Sequence, residues 1–340
     1  MPVGLDVIAL HRYFAQHLPG YNGGLNARLI AGGKSNLTYR LSDGVHDWVL
    51  RRPPLGPLTP SAHDMAREFR VMDALQDTTV PVPGTRLLCR DEQVLGVPFL
   101  VVDFVEGRTL RSHDDIAALS PDDQAALGDE LADRLAALHR VDPIAAGLSD
   151  FGRPAGYLGR QLRRWSDQWS RVRTRESADF DALAARLADT LPAESGATIV
   201  HGDYRIDNLL VAPDEPRIAA LVDWELSTLG DPLADLAMTL VYWEPLTEPV
   251  LGVPHVRGGP NALPSPDAFV ERYAAGRDLP DLAPYLALAA LKLAVIAEGI
   301  HSRYLAGSTV GEGFATAGEA VEPLLAYGLE RLAPVAKAVR

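Results

Sequence analysis

The chain has 340 residues, of which 47% are hydrophobic and 23% are charged, and its formal net charge at pH 7 is −13. This composition is typical of a globular protein with a sizeable core, and the length predicts two domains or lobes. The negative charge argues against binding to nucleic acid, which needs Lys and Arg to neutralise phosphates. The single cysteine, Cys89, excludes an intrachain disulfide and a cysteine-rich metal site, and we interpret it as a buried apolar residue.

Two apolar stretches bear on the location of the protein. Residues 1–18 mix charged and apolar side chains at helical spacing, which is unlike a signal peptide. The most apolar stretch, residues 282–300, is interrupted by Lys292 and Glu298, which favours a buried helix over a membrane span. We therefore expect a cytoplasmic protein without a membrane partner.

The N-terminal part of the chain, residues 1–105, is predicted to form a small antiparallel sheet with one main helix. That helix would begin near Ser61 and carry Met65, Phe69 and Met72 on one apolar face. An earlier amphipathic helix is predicted over residues 7–18. Strands are predicted within residues 27–41 (two strands around a turn at 32–36), 48–52, 86–90 and 98–105.

The remainder of the chain, residues 106–340, is predicted to be mainly helical. The sequence thus indicates an α+β fold with two lobes and a cleft between them. A long irregular loop is expected at residues 245–266, which contain several Pro and Gly. Helices are predicted from Ser120 onward and near residues 155–173, 178–190, 232–243, 266–275, 281–305 and 315–338.

The segments HGDYRIDNLLV at residues 201–211 and LVDWE at 221–225 contain the clearest chemical pattern. Asp203, Asn208 and Asp223 have the spacing of a kinase catalytic loop followed by a metal-binding Asp. Asn208 and Asp223 offer the oxygen ligands that Mg²⁺ prefers, and Asp203 can accept the proton of an attacking hydroxyl. Flanking apolar runs predict a hairpin that brings the three together, whereas the alternative is an ordinary turn rich in Asp and Asn.

A glycine-containing turn at residues 32–36 is a candidate for covering the phosphates of ATP. It is not a P-loop, because Arg28 stands where the first glycine is needed and because the turn lies between two strands. In a kinase-like arrangement, Ser35 and Asn36 would approach the nucleotide. The alternative is an ordinary hairpin turn.

An ion pair between Arg51 and Glu68 is predicted within the first lobe. Glu68 lies on the apolar face of its helix, where a carboxylate is costly unless it is paired. Arg51, on the third strand, would pair with it and touch the ATP phosphates, while Arg52 faces the other side of the strand. The alternative is that both arginines lie on the surface before the Pro53-Pro54 turn.

Residues 101–107 end the last strand of the first lobe and are interpreted as the hinge between lobes. By comparison with kinases, the backbone groups of Asp103 and Val105 would bind the adenine edge. The alternative is an ordinary strand end.

Taken together, the catalytic segments HGDYRIDNLLV and LVDWELSTLGDPLADLA resemble the aminoglycoside phosphotransferase and choline kinase superfamily. The segments GGKSNLTYRL, VLRRPP, FLVVDFVEGRTL and YLGRQLRRWSDQW are similar to the phosphotransferase domains fused to acyl-CoA dehydrogenases. The resemblance spans residues 25–245. It implies a bilobal protein-kinase-like fold, ATP and Mg²⁺ as cofactors, Asp203 as base, and Asn208 and Asp223 as metal ligands.

The resemblance also implies a small-molecule hydroxyl as acceptor, with a hydroxyacyl-CoA as one candidate. Alternatives are an aminoglycoside or amino-alcohol kinase and a nucleotide-binding pseudokinase or scaffold, since Arg51 stands where most kinases have Lys. Asp231 and Asp235 are expected to cap helices, and Glu225 either adds to the metal site or lies beside it. The aromatic residues that would line an acceptor pocket, or alternatively belong to the core, are Trp165, Trp169, Tyr242, Trp243 and Tyr304. The basic cluster of Arg160, Arg163 and Arg164 would bind an anion, for example the phosphates of a coenzyme A thioester, or alternatively forms a solvated helix face.

Overall fold

The computed structural model describes residues 2–31, 36–55, 64–251, 261–308 and 314–333. The smaller lobe is built on a five-stranded antiparallel sheet with the strand order β1-β2-β3-β5-β4. Its elements are α1 (Val7–His17), β1 (Asn26–Ala31), β2 (Leu37–Ser42), β3 (Asp47–Arg52), α2 (Met65–Leu75), β4 (Thr85–Cys89), α3 (Glu92–Leu95) and β5 (Phe99–Asp103).

The larger lobe is mainly helical and contains two short two-stranded sheets, β6 with β9 and β7 with β8. Its elements are α4 (His113–Ala117), α5 (Pro121–Arg140), α6 (Tyr157–Val172), α7 (Ala178–Thr190), β6 (Thr198–Val200), β7 (Leu209–Val211), β8 (Ile218–Leu221), β9 (Thr228–Gly230), α8 (Pro232–Tyr242), α9 (Glu248–Leu251), α10 (Pro266–Ala274), α11 (Ala283–Leu305) and α12 (Val321–Arg331).

Strand β3 lies inside the sheet and separates two cores. Its side chains alternate, so that Trp48 and Leu50 pack with helix α1 while Val49 and Arg51 face helix α2 and the larger lobe. Arg52 therefore points away from Arg51, as predicted. The surface alternative is wrong for Arg52, because its buried guanidinium donates to the carbonyl groups of Gly4, Leu95 and Pro53.

Helix α11 is the central helix of the larger lobe and packs against α6, α7, α8 and α12. It is long and apolar enough to cross a membrane, but 67% of its most apolar stretch is buried inside the protein. A core helix of a globular lobe has this composition, because it is surrounded by apolar neighbours on most sides. The prediction of a buried helix here is confirmed.

Several sequence predictions differ from the structure in detail. Asp64 caps helix α2 by accepting from the Arg67 N–H at 3.0 Å, whereas Ser61, the predicted cap, lies outside the described residues. The irregular loop predicted at 245–266 begins with a 3₁₀ turn at Pro245–Thr247 and helix α9, and residues 252–260 lie outside the description. The last predicted helix is a 3₁₀ turn at Ala317–Ala320 followed by α12. The division of lobes at residue 105 stays a prediction.

Two glycines inside helices provide a matched test of the packing. A Cβ on Gly128 of α5 would overlap the ring of Pro264, whereas one on Gly299 of α11 would make ordinary contacts with Val172 at 3.8 Å and Arg303 at 3.9 Å. Alanine in a helix interior is favoured over glycine by about 1 kcal/mol, while overpacking costs about 1–3 kcal/mol. We expect urea unfolding to show Gly299→Ala at or above wild-type stability and Gly128→Ala below it. Equal stability of the two variants would contradict the packing of α5 on residue 264.

Candidate active site

The loop at residues 201–208 is held by a buried carboxylate on helix α8. Asp235 accepts hydrogen bonds from the backbone N–H groups of His201 at 2.7 Å and Gly202 at 2.9 Å, and it contacts His139 Nε2 at 3.2 Å. Burial opposes the charge, but the hydrogen bond to His139 and the donors from the loop lower the pKa of Asp235. This ionised carboxylate fixes the segment that presents Asp203.

His201 connects this loop to the segment that carries Asp223. Its Nε2 donates to the carbonyl oxygen of Val222 at 3.1 Å, and its Nδ1 accepts from the Asp203 N–H at 3.3 Å. A carbonyl can only accept, so the hydrogen-bond network assigns the ring proton to Nε2. The histidine thereby sets the spacing between two chain segments whose contacting residues are 21 positions apart in sequence.

Of the two acids expected to cap helices, Asp231 and Asp235, only Asp231 does so. Asp231 accepts from the Leu233 N–H at 2.9 Å at the start of α8, and it also accepts from the backbone and hydroxyl of Ser195. Asp235 lies one turn later and supports the loop instead. The sequence could not separate these roles, because both acids lie near the same helix start.

The Asp203 carboxylate is fixed from two sides. Its Oδ1 accepts from the Tyr242 hydroxyl at 2.6 Å and lies 3.5 Å from Arg205 Nε, and its Oδ2 accepts from Asn208 Nδ2 at 2.8 Å. Burial alone would raise the pKa of Asp203, but the Arg205 charge and the Tyr242 hydrogen bond lower it below its usual value. Asp203 is therefore ionised at neutral pH and able to accept or orient a proton.

Asn208 turns its amide oxygen away from these contacts. Its Nδ2 donates both to the Asp203 carboxylate and to the Asp203 carbonyl oxygen at 2.9 Å, and neither group can donate in return. The amide orientation is thus fixed, and no donor within the described part of the chain contacts Asn208 Oδ1. Asn208 and Asp223 both line one cleft of about 630 Å³.

Asp223 occupies a strained backbone position at the end of β8. It has φ 66° and ψ 61°, a left-handed conformation that is costly for a residue other than glycine. Among the described residues no group of three or more His, Cys, Asp or Glu side chains could hold a metal. Mg²⁺ takes few protein ligands and fills its shell with phosphate and water oxygens, so the pair Asn208 and Asp223 fits this ion.

Arg51 bridges the two lobes. Its guanidinium forms an ion pair with Glu68 of α2, and its Nη2 donates to Asp223 Oδ1 at 2.9 Å. The Arg51–Glu68 contact predicted from the sequence is confirmed, and the third partner was not foreseen. Burial opposes the charge of Arg51, but the carboxylates of Glu68 and Asp223 raise its pKa above the usual value.

Glu68 is almost fully buried beside this cation. Burial raises the pKa of Glu68 to about 7, the Arg51 charge opposes the rise, and the nearby Asp223 and Glu225 carboxylates add to it. Because Arg51 contacts the carboxylate directly, we assign the ion-paired form to the resting structure. Arg51 is thus one cation among several acids, and a further positive charge would reduce the repulsion between their carboxylates.

The predicted hinge lies along the same cleft. The N–H of Asp103 donates to the Gly84 carbonyl at 2.7 Å, and its side chain pairs with Arg86, so this N–H is not available to the adenine edge, while binding by the Asp103 carbonyl stays a prediction. The bulge between β4 and β5 that places Gly84 there has no signature in the sequence. Within the described residues no acceptor contacts the Val105 N–H, which remains a candidate for adenine.

The predicted flap is only partly described. Ser35 lies outside the described residues, and Asn36 is buried and donates from Nδ2 to Glu225 Oε2 at 3.3 Å. Burial raises the pKa of Glu225 to about 7, and the neighbouring Asp223 adds to the rise. Glu225 therefore connects Asn36, at the end of the predicted flap, to the segment that carries Asp223, and a role for Glu225 as a metal ligand stays a prediction.

The residues considered for an acceptor site have different surroundings in the structure. Trp169 stacks on Phe180 at 4.4 Å and Trp243 packs on Phe269 at 4.6 Å, so both belong to the core. Tyr242, by contrast, contacts Asp203 directly. Arg160 donates to backbone carbonyl groups of the preceding loop and is structural.

Arg205, Asp207 and Lys292 were not assigned to the site from the sequence, although the structure places them in or beside it. Arg205 and Asp207 stand inside the catalytic motif and form an ion pair at 2.8 Å. Lys292 donates to the Gly202 carbonyl at 3.2 Å. The feature of the sequence that could have indicated Lys292 is a lysine within a strongly apolar helix.

Comparison with known proteins agrees with this geometry. Residues 26–293 match the phosphotransferase enzyme family. The chain belongs to this family. The bilobal, protein-kinase-like fold predicted from the sequence is confirmed by solved structures of family members.

A protein from Ralstonia eutropha assigned as an aminoglycoside phosphotransferase is 34% identical, with a TM-score of 0.85 over 96% of this chain and 98% of that chain. The aminoglycoside phosphotransferase APH(4)-Ia, in a ternary complex with AMP-PNP and hygromycin B, is 16% identical with a TM-score of 0.62 over 94% of this chain and 98% of that chain. At 16% identity, the second comparison supports the fold alone.

Curated relatives include acyl-CoA dehydrogenase family member 11 of Rattus norvegicus, 36% identical over 96% of this chain. A second is the probable acyl-CoA dehydrogenase IBR3 of Arabidopsis thaliana, 33% identical over 95% of this chain. The chain spans less than half the length of these relatives, 43% and 42%. This phosphotransferase therefore corresponds to one part of longer proteins.

Removal of Arg51 should destabilise this phosphotransferase much more than removal of an exposed arginine. Breaking one partner of a buried ion pair costs about 3–5 kcal/mol, whereas an exposed pair contributes about 0–1 kcal/mol. We expect Arg51→Ala and Glu68→Ala to lower the urea midpoint and raise the KM for ATP. Arg51→Lys keeps the charge, so it should change the midpoint and the KM less than Arg51→Ala does.

The matched control is Arg217→Ala, which removes an exposed pair with Glu215. If Arg51→Ala unfolds at the same urea concentration as Arg217→Ala and binds ATP like wild type, the bridging role of Arg51 is wrong.

Proposed function

We propose that the chain is an ATP- and Mg²⁺-dependent kinase that transfers the γ-phosphoryl group to a hydroxyl of a small molecule. The observation that carries this proposal is the arrangement around Asn208. Its amide nitrogen holds the ionised Asp203, and Asn208 lines the cleft that also contains Asp223. This arrangement supports a base and two metal-ligand oxygens beside a cleft of nucleotide size.

Each residue has a defined part in the transfer. Asn208 and Asp223 would hold Mg²⁺, which when bound neutralises phosphate charge and orients the β- and γ-phosphates. Asp203 accepts the proton of the acceptor hydroxyl while the oxygen of that hydroxyl forms a bond to the γ-phosphorus. The bond from that phosphorus to the bridging oxygen breaks, and ADP leaves with the electron pair. Arg51 contacts the remaining phosphates, and the Val105 N–H binds the adenine edge.

We propose a hydroxyacyl-CoA as the acceptor. The relatives that match this chain over 95% or 96% of its length are named as acyl-CoA dehydrogenases, and the matched region is less than half of each. A kinase joined in one chain to an acyl-CoA enzyme would gain from sharing the same class of substrate. Hygromycin B in a structural relative makes an aminoglycoside the competing acceptor.

The test is transfer of the γ-phosphate of labelled ATP to a panel of hydroxyacyl-CoAs, amino alcohols, sugars and aminoglycosides. We expect Mg²⁺-dependent label in a hydroxyacyl-CoA and slow ATP hydrolysis without acceptor. Preferential labelling of an aminoglycoside would replace the acceptor proposal. ATP binding without any turnover across the panel would instead support a pseudokinase that acts as a scaffold.

Asp203→Asn should lower kcat while leaving ATP affinity nearly intact. The amide keeps the shape, and its oxygen can still accept from Asn208 Nδ2. Its nitrogen cannot accept from the Tyr242 hydroxyl, and the group cannot take a proton; a general base contributes about 10²- to 10⁴-fold. Steady-state kinetics and ATP titration would measure both effects, with Asp214→Asn in an exposed turn as the control. An unchanged kcat in Asp203→Asn would assign the base to another residue.

Asp223→Asn should remove Mg²⁺-dependent activity without unfolding the protein. Asn tolerates the left-handed backbone and can still accept from Arg51, but it brings no negative charge to the metal. We expect activity to collapse, Mg²⁺ to stop strengthening ATP binding, and Mn²⁺ to restore part of the rate. Ordinary Mg²⁺ dependence in this variant would exclude Asp223 as a metal ligand.

A further inference from the structure

Lys292 is an unusual residue for its position. It is the only charged residue between positions 283 and 297 of helix α11, and it lies against the catalytic loop. Its ammonium donates to the Gly202 carbonyl oxygen at 3.2 Å and lies 5.9 Å from the centre of the Trp165 ring. A lysine in such an apolar helix is costly unless its charge has a partner.

The partners of Lys292 are incomplete. An ammonium has three donors, and the Gly202 carbonyl is its one hydrogen-bond acceptor among residues that the structure describes. Burial lowers the pKa of Lys292, the carboxylates of Asp203 and Asp235 oppose this from a longer distance, and Arg164 adds to the lowering. Over the described residues, Lys292 forms no ion pair with a carboxylate. Two donors thus remain for a group from outside the chain.

A second cation approaches the same aromatic ring. The Arg164 guanidinium carbon lies 5.3 Å from the centre of the Trp165 ring, and its side chain is exposed. Lys292 and Trp165 also line a small cavity of about 30 Å³ together with Tyr157, Gln161 and Asp235, and Arg164 lies outside this lining. Both cations lie within 5.9 Å of the centre of one ring, so an anion bound beside them would reduce their mutual repulsion.

We propose that Lys292 and Arg164, with the Trp165 ring, bind an anionic group of the acceptor. The acceptor is then a hydroxyl compound that carries a carboxylate or a phosphate, which excludes a polycationic aminoglycoside. This inference rests on the proposed function, because it takes Asp203 as the residue that meets the acceptor hydroxyl. The negative group could be the carboxylate of a free hydroxy acid or the phosphates of a coenzyme A thioester.

The competing role for Lys292 is structural, through the Gly202 carbonyl alone. Lys292→Gln separates the two roles, because the amide can still donate to Gly202 but has no charge. Lys292→Arg keeps the charge, and Arg164→Gln removes the second cation. Arg171→Gln, the same change at an exposed arginine of α6, is the matched control.

The experiment is calorimetric titration of the protein, with AMP-PNP and Mg²⁺ present, by hydroxy acids, their coenzyme A thioesters, coenzyme A alone and diols of the same chain lengths. We expect an anionic series to bind wild type more tightly than the diols. Charge-assisted hydrogen bonds correspond to about 10- to 100-fold in affinity, so Lys292→Gln should weaken binding by that factor and Arg164→Gln by less. Lys292→Arg and Arg171→Gln should stay near wild type.

Three results would overturn the inference: diols that bind as tightly as the anions, anions that bind Lys292→Gln like wild type, or no binding by any member of the panel. A parallel loss of AMP-PNP affinity in Lys292→Gln would assign Lys292 a structural role and overturn it too. Binding only by thioesters and coenzyme A would place the anion on the coenzyme. Labelled-phosphate transfer is measured separately, so anion binding without transfer would refute the proposed function and leave this site standing.

Discussion

One guanidinium organises the site. Arg51 comes from the central strand of the small lobe, and it meets Glu68 of α2 and Asp223 of the large lobe. These three residues belong to separate segments of the chain, and the buried Glu68 carboxylate is costly without the Arg51 charge. Glu68 and Asp223 share this one cation, and Glu225 is a further acid nearby. The strained backbone of Asp223 is maintained by this arrangement.

Helix α2 is attached to the large lobe by a second arginine. Arg67 donates to the carbonyl oxygens of Ser227 and Phe151, and its guanidinium lies 3.9 Å from the centre of the Phe151 ring. Ser227 follows the 3₁₀ turn after Asp223, so the segment that carries Asp223 is bound to the helix that carries Glu68. The half-buried Arg67 and the buried Asp235 thus each fix the backbone of a loop beside the cleft.

The parts of the site that could be predicted from sequence are those fixed by short-range geometry. The spacing of Asp203, Asn208 and Asp223 follows from one loop and one hairpin, and the Arg51–Glu68 pair follows from strand alternation and a helical face. Other contacts depend on packing between distant elements. Tyr242 contacts Asp203 from the end of α8, and Lys292 contacts the loop from α11. Neither contact can be predicted from the sequence around residues 201–208. The Asp103 N–H is occupied because its acceptor, the Gly84 carbonyl, lies beside an irregular part of the β4–β5 pairing, which no local pattern in the sequence indicates.

The central claim is that this cleft binds Mg²⁺ and ATP between the two lobes. A crystal structure of the protein with Mg²⁺ and AMP-PNP tests it most directly. The account predicts the metal on Asn208 Oδ1 and the Asp223 carboxylate, the phosphates against Arg51, and the adenine edge on the Val105 N–H. A nucleotide bound elsewhere, or a metal held without Asn208 and Asp223, would contradict it.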